Sequence, residues 1–170
     1  MVNLRFASLW ILVPPILLCI LDVCLTLYGQ SDSYWAGNYS DVNELSPSAK
    51  GYLMIHPLAF LGHGLMWMAI FCSLILLLPQ RLGMMAAVCV VVGHMTGSAS
   101  WLVFRLGSYQ ACGFLFIATS ILLVLMMDYG RSPDGRTFFD WSCLGRYSWI
   151  RWTGIASLIG FPVYWSLIPH

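Results

Sequence analysis

Unbroken apolar runs of helical length constrain this chain more than any other feature of its sequence. A membrane-spanning helix needs about 20 consecutive apolar residues. The predicted spans lie near residues 7–29, 52–79, 82–104, 108–127 and 152–168. The last run is short and contains Pro162, so a re-entrant or interfacial position is the alternative to a full span. The sequence therefore predicts an all-α fold, a polytopic transmembrane helical bundle of four to five spans, with residues 1–170 as a single domain.

Composition excludes the other broad classes of protein. Hydrophobic residues make up 59% of the chain and charged residues 9%, whereas about 25% of a soluble domain is charged. A net charge of +1 excludes a nucleic-acid partner held by a basic surface. Strands of a membrane β-barrel alternate in polarity, and these runs do not. The six cysteines include no C-x-x-C pair, so neither a disulfide framework nor a cysteine zinc site is predicted.

Basic residues divide unevenly between the two predicted sides of the membrane. One side receives Arg5, Arg81, Arg131, Arg136, Arg146 and Arg151. The other side receives only Lys50 and Arg105. Because lysine and arginine concentrate in cytoplasmic loops, this asymmetry predicts a cytoplasmic N-terminus. The loop at residues 30–51 is then external or periplasmic.

Four ionisable residues fall inside the predicted spans, where such side chains are costly and usually paired. The tight turn at 79–81 makes spans two and three antiparallel neighbours. Counting 1.5 Å per residue from that turn places His63 and His94 at nearly equal depth. Asp22 and His56 lie slightly further out, and His56 shares a helix face with His63, seven residues away. We expect Asp22 to face protein rather than lipid.

Small residues accompany both histidines at this depth. Gly62 and Gly64 flank His63, and Gly93 and Gly97 form a small-xxx-small pattern around His94. Such residues let helix backbones approach closely. We therefore expect spans two and three to close on one another, and the two imidazoles to meet.

These side chains, with Glu44 placed over the outer mouth of the bundle by Pro47, suggest a metal site. The candidate ligands are His63, His94, Asp22, Glu44 and His56. Histidine nitrogens with a carboxylate suit zinc, iron or copper. One alternative is haem held between the histidines of spans two and three. Another is a set of interhelical hydrogen bonds that only fix the packing.

Two short motifs lie in the first third of the chain. Asp22-x-x-x-Thr26 precedes Asn43-Glu44-x-x-Pro47, which leads into a span. In these motifs the chain resembles an uncharacterised group of small bacterial polytopic membrane proteins. The resemblance implies that Asp22, Thr26 and Glu44 form one unit and that the protein lies in a bacterial inner membrane. It implies no activity. Thr26 is the expected hydrogen-bond partner of Asp22.

Two functions of different class fit these observations. The first is a membrane binding or accessory protein, which packs against other membrane subunits or itself, or holds a small ligand or ion in the outer half of the bundle. The absence of a strong catalytic motif and the small size favour it. The alternative is a membrane-embedded metal-dependent enzyme acting on an apolar or lipid substrate, which the matched depths favour. The expected partners are the lipid bilayer and other membrane subunits, and nucleic acid is not expected.

Overall fold

The computed structural model describes residues 9–129, which are almost entirely helical. A 3-10 turn at Trp10–Leu12 leads into the first helix. The helices are α1 (Val13–Tyr28), α2 (Asp32–Trp35), α3 (Pro47–Ile55), α4 (Pro57–Leu77), α5 (Gln80–Phe104) and α6 (Tyr109–Tyr129).

Within residues 9–129, four helical segments are long and apolar enough to cross a membrane. They are Trp10–Tyr28, Pro57–Leu77, Gln80–Phe104 and Tyr109–Met127. This confirms the predicted all-α bundle with four helices long and apolar enough to span a membrane. The predicted fifth run at 152–168 lies outside the described residues.

The spanning helices alternate in direction, and α1 runs parallel to α5. Two contacts define this pairing: Asp22 meets His94, and Gly29 meets Trp101 seven residues further along both helices. The α1–α5 contact is the most extensive in the bundle, larger than the contact of α5 with α4 or α6. The end of the bundle that carries residues 29–56 is called the loop side below. Both α1 and α5 run toward it.

The predicted second span does not begin at residue 52, because a helix break separates α3 from α4. His56 is extended, with φ −176° and ψ 147°, as expected for a residue that precedes proline. The Nδ1 atom of His56 accepts a hydrogen bond from the Leu58 amide at 3.1 Å and so caps α4. His56 therefore marks the start of this span rather than sharing a helix face with His63.

The loop side is closed by a small apolar cluster around Tyr34. Tyr34 is fully buried against Leu53 and Phe60. Its hydroxyl donates a hydrogen bond to the Leu53 carbonyl at 3.1 Å. In a continuous helix that carbonyl would accept from the amide of residue 57, but Pro57 has no N–H. Tyr34 therefore satisfies the carbonyl that the helix break leaves open.

Replacing Tyr34 by phenylalanine is expected to lower the free energy of unfolding by about 1–3 kcal/mol, because the Leu53 carbonyl loses its partner in a buried place. Burial, and then the nearby Tyr39, raise the pKa of Tyr34, so the hydroxyl keeps its proton at neutral pH. Denaturation in detergent micelles measures the loss. Tyr39→Phe, which keeps the ring contact with Tyr34 at 5.3 Å, is the control. It should lower the free energy of unfolding clearly less than Tyr34→Phe does.

Candidate functional site

The central polar contact of the bundle joins Asp22 of α1 to His94 of α5. The Nδ1 atom of His94 lies 2.9 Å from Oδ2 of Asp22. The Asp22 side chain is only 22% exposed and the His94 side chain only 17%. This confirms that Asp22 faces protein. Its partner is His94 rather than the expected Thr26, which is buried one turn further along α1.

Glycines bring α1 close to its two neighbours. A Cβ atom at Gly97 would lie 2.6 Å from Oδ1 and 2.8 Å from Oδ2 of Asp22, and one at Gly64 would lie 3.3 Å from the Val23 side chain. At Gly62 and Gly93 a Cβ atom would meet nothing within 4 Å. The small residues therefore bring α1 against α4 and α5, whereas the sequence predicted that they bring α4 against α5.

His63 has a different partner from His94. Its ring stacks on Tyr52 of α3, with centroids 4.2 Å apart and planes 14° from parallel. Its Nδ1 atom is buried and has no hydrogen-bond partner among the residues described. His63 and His94 line the same cavity, but different neighbours hold their rings. Tyr52 stacks on His63, whereas the Asp22 carboxylate of α1 orients His94.

The predicted metal site is not supported. Within residues 9–129, no group of three or more His, Cys, Asp or Glu side chains is placed to hold a metal ion. Of the five candidate ligands, Asp22 and His94 bind each other. His56 caps α4 and packs edge-on against Tyr39, with ring centroids 5.2 Å apart. Glu44 uses Oε1 to accept a hydrogen bond from the Ser46 amide at 2.7 Å.

The Asp22–His94 pair stands at the wall of a cavity of about 410 Å³. The cavity lies between α1, α4 and α5, and residues that precede and begin α3 complete its wall. Its ionisable lining residues are Asp22, Glu44, His63 and His94. Glu44 thus lines the same cavity as Asp22, as the sequence predicted, while His56 lies outside the lining.

A hydrogen-bonded latch holds the loop over the cavity. Gln30, which is buried, accepts from the Asn43 amide at 3.0 Å and donates to the Thr26 carbonyl at 2.8 Å. The Asn43 side chain donates to the Gly29 carbonyl at 3.3 Å. The Asp-x-x-x-Thr helix end and the Asn-Glu segment are therefore joined by hydrogen bonds between side chains and backbone groups, which position Glu44 at the cavity.

Three features of this site were not predicted from the sequence. Cys19 is buried one turn before Asp22 and lines the cavity. Gln30 forms the latch, and Trp101 lies over Gly29, where a Cβ atom would overlap the indole. The spacing of Cys19 and Asp22 on one face of α1 was a usable signal. The Gln30–Asn43 latch had none, because the two residues are thirteen positions apart in a loop.

Comparison of the chain with protein-family models, with curated proteins and with solved structures found no match. The chemistry of the cavity is therefore the basis for assigning a function.

Proposed function

We propose that this integral membrane protein binds a small molecule in the loop-side cavity, with the Asp22–His94 pair as the polar anchor of the site. The observation that carries the proposal is an ionisable pair within the spanning helices that also borders a cavity. Intramembrane ionisable residues are costly and mark substrate or ion pathways. A volume of about 410 Å³ lies within the range of ligand pockets, roughly 300–1,000 Å³.

The composition of the lining also supports binding. A few polar groups stand among aromatic and aliphatic side chains, including Phe60, Trp67 and Ile70, which is the usual character of a small-molecule site. Hydrogen bonds that served only to fix helix packing would not need a cavity beside them. Here the Nδ1 atom of His63, which has no hydrogen-bond partner within residues 9–129, adds a further polar group at the same wall.

Thiol labelling tests whether small molecules reach the cavity. In a variant that keeps Cys19 and has the other five cysteines replaced by alanine, we expect neutral methyl methanethiosulfonate to modify Cys19 in proteoliposomes. Filling the cavity by Ala49→Trp should slow the modification several-fold, since Ala49 is part of the lining.

Gly51→Trp on the same helix provides the matched control. Gly51 is absent from the lining, and a Cβ atom there meets nothing within 4 Å, so its rate should match that of the parent variant. A Cys19 thiol that the neutral reagent never modifies, or equal rates in all three proteins, would contradict the proposed function.

We also propose a cytoplasmic N-terminus, an external loop at residues 30–51 and a bacterial inner-membrane location. The asymmetry of basic residues and the resemblance to small bacterial membrane proteins support this orientation. Cysteines introduced at Ser33 and at Ser132 should react with a membrane-impermeant maleimide from opposite sides. If Ser33→Cys is labelled only after the reagent is given access to the cytoplasmic face, the orientation is the opposite of the proposed one.

A further inference from the structure

The cavity lining carries two carboxylates, and its basic groups are the imidazoles of His63 and of His94, which pairs with Asp22. Asp22 and Glu44 are carboxylates, and no lysine or arginine is among the lining residues that the structure describes. Phosphate and carboxylate groups are usually recognised by arginine or lysine, which supply charge-assisted hydrogen bonds. An anionic ligand would therefore meet two like charges, and imidazoles in place of arginine or lysine.

Both carboxylates keep acceptor positions that no residue among 9–129 occupies. His94 bonds to Oδ2 of Asp22, and the Ser46 amide bonds to Oε1 of Glu44. A carboxylate has about four acceptor positions, so each group can accept further hydrogen bonds. The two lie on separate elements, Asp22 within α1 and Glu44 in the loop, so a donor in the cavity has acceptors on two sides.

Aromatic side chains line the rest of this space. Phe60, Trp67 and Trp101 all border the cavity. Indole and phenyl rings attract cations through the negative face of the π-system, and the attraction grows when water is excluded. The same rings provide apolar surface for the body of a ligand.

We infer that the ligand is an amine: a protonated amino head between the carboxylates of Asp22 and Glu44, on a small apolar body packed among the aromatic side chains. An ammonium group has three donors and no acceptor, which matches a wall of acceptors. This inference rests on the proposed function, since it names the chemical class of the molecule that the cavity takes.

Competition against Cys19 modification tests the inference. The single-Cys19 variant is labelled with methyl methanethiosulfonate in the presence of octylamine, octanol or octanoate, unbranched compounds of eight carbons each that differ in the head group. Octylamine should slow labelling by at least about tenfold, equivalent to roughly 1.4 kcal/mol of binding preference, relative to octanol and octanoate at equal concentration.

Two controls separate cavity binding from general membrane effects. A variant that keeps only Cys24, which is exposed on the same helix, should be labelled equally in all three compounds. Glu44→Gln and Asp22→Asn should each reduce the octylamine effect to less than about threefold, because less than 1 kcal/mol of preference then remains. Glu44 lies outside the spans, so its variant keeps the test valid even where Asp22→Asn impairs folding.

The possible outcomes distinguish the two proposals. Equal protection by octanol and octylamine, or an undiminished octylamine effect in both carboxamide variants, overturns the amine inference and leaves the binding function in place. Free labelling of Cys19 that none of the three compounds slows overturns the amine inference in the same way. A Cys19 thiol that the reagent does not reach overturns the binding function, and the amine inference with it.

Discussion

Replacing His94 by leucine is expected to lower the free energy of unfolding by about 2.5–3.5 kcal/mol, the penalty for an unpaired charge deep within a membrane helix. Asp22 would lose the imidazole that now lies 2.9 Å from its carboxylate, and its side chain is 78% shielded, since only 22% is exposed. Denaturation of the purified protein in mixed micelles measures the change.

The double variant is the internal control for this effect. Asp22→Leu with His94→Leu replaces the pair by branched apolar side chains, so no buried charge is left without a partner. Because replacing both members of a buried pair is often nearly neutral, we expect the double variant to recover most of the stability that His94→Leu loses. Effects that simply add would show that the two side chains are not coupled.

Gly97→Ala is expected to destabilise the bundle where α5 packs against Asp22 of α1. A Cβ atom there would lie within 3 Å of three atoms of the Asp22 carboxylate, and this carboxylate cannot move away without losing His94. Overpacking of this kind costs about 1–3 kcal/mol. The same change should weaken the α1–α5 contact and slow refolding into the native bundle. Tryptophan fluorescence, to which Trp101 contributes from its position against Gly29, measures the refolding rate.

Gly93→Ala is the matched control, one helical turn away on α5. Nothing lies within 4 Å of a Cβ atom at Gly93, and alanine favours the helix over glycine by about 1 kcal/mol. Because this gain applies at both positions, the Gly97→Ala protein should be less stable than the Gly93→Ala protein by about 1–3 kcal/mol, the cost of overpacking. A Gly97→Ala protein at least as stable as Gly93→Ala would mean that α1 and α5 do not approach as closely as described.

The bundle itself was predictable because the cost of exposing backbone polar groups in lipid leaves few alternatives to apolar helices. The depth of Asp22 and His94 followed from the rise per residue. The rotation of each helix about its axis did not, since it depends on which neighbour supplies the larger contact. The short turn before α5 made α4 its neighbour in sequence, yet α1 provides the more extensive contact and the carboxylate.

The break at His56 was within reach of the sequence. His56-Pro57 places a residue that disfavours helix before one that lacks an N–H, but the apolar run across it was interpreted as one continuous span. Pro47 predicted Glu44 over the outer mouth of the bundle, and the structure places Glu44 in the lining of the loop-side cavity with Asp22 but without His56. The latch through Gln30 was beyond prediction, because loop residues far apart in sequence have no periodicity that would bring them together.

Native mass spectrometry of the protein, released in mild detergent from the cells that produce it, shows whether the loop-side cavity holds a small molecule. We expect a bound small molecule on the wild-type protein and on Gly51→Trp, and its loss from Ala49→Trp, in which the tryptophan fills the cavity. An identical set of adducts on all three proteins, or a wild-type protein that carries none, would contradict the proposed function.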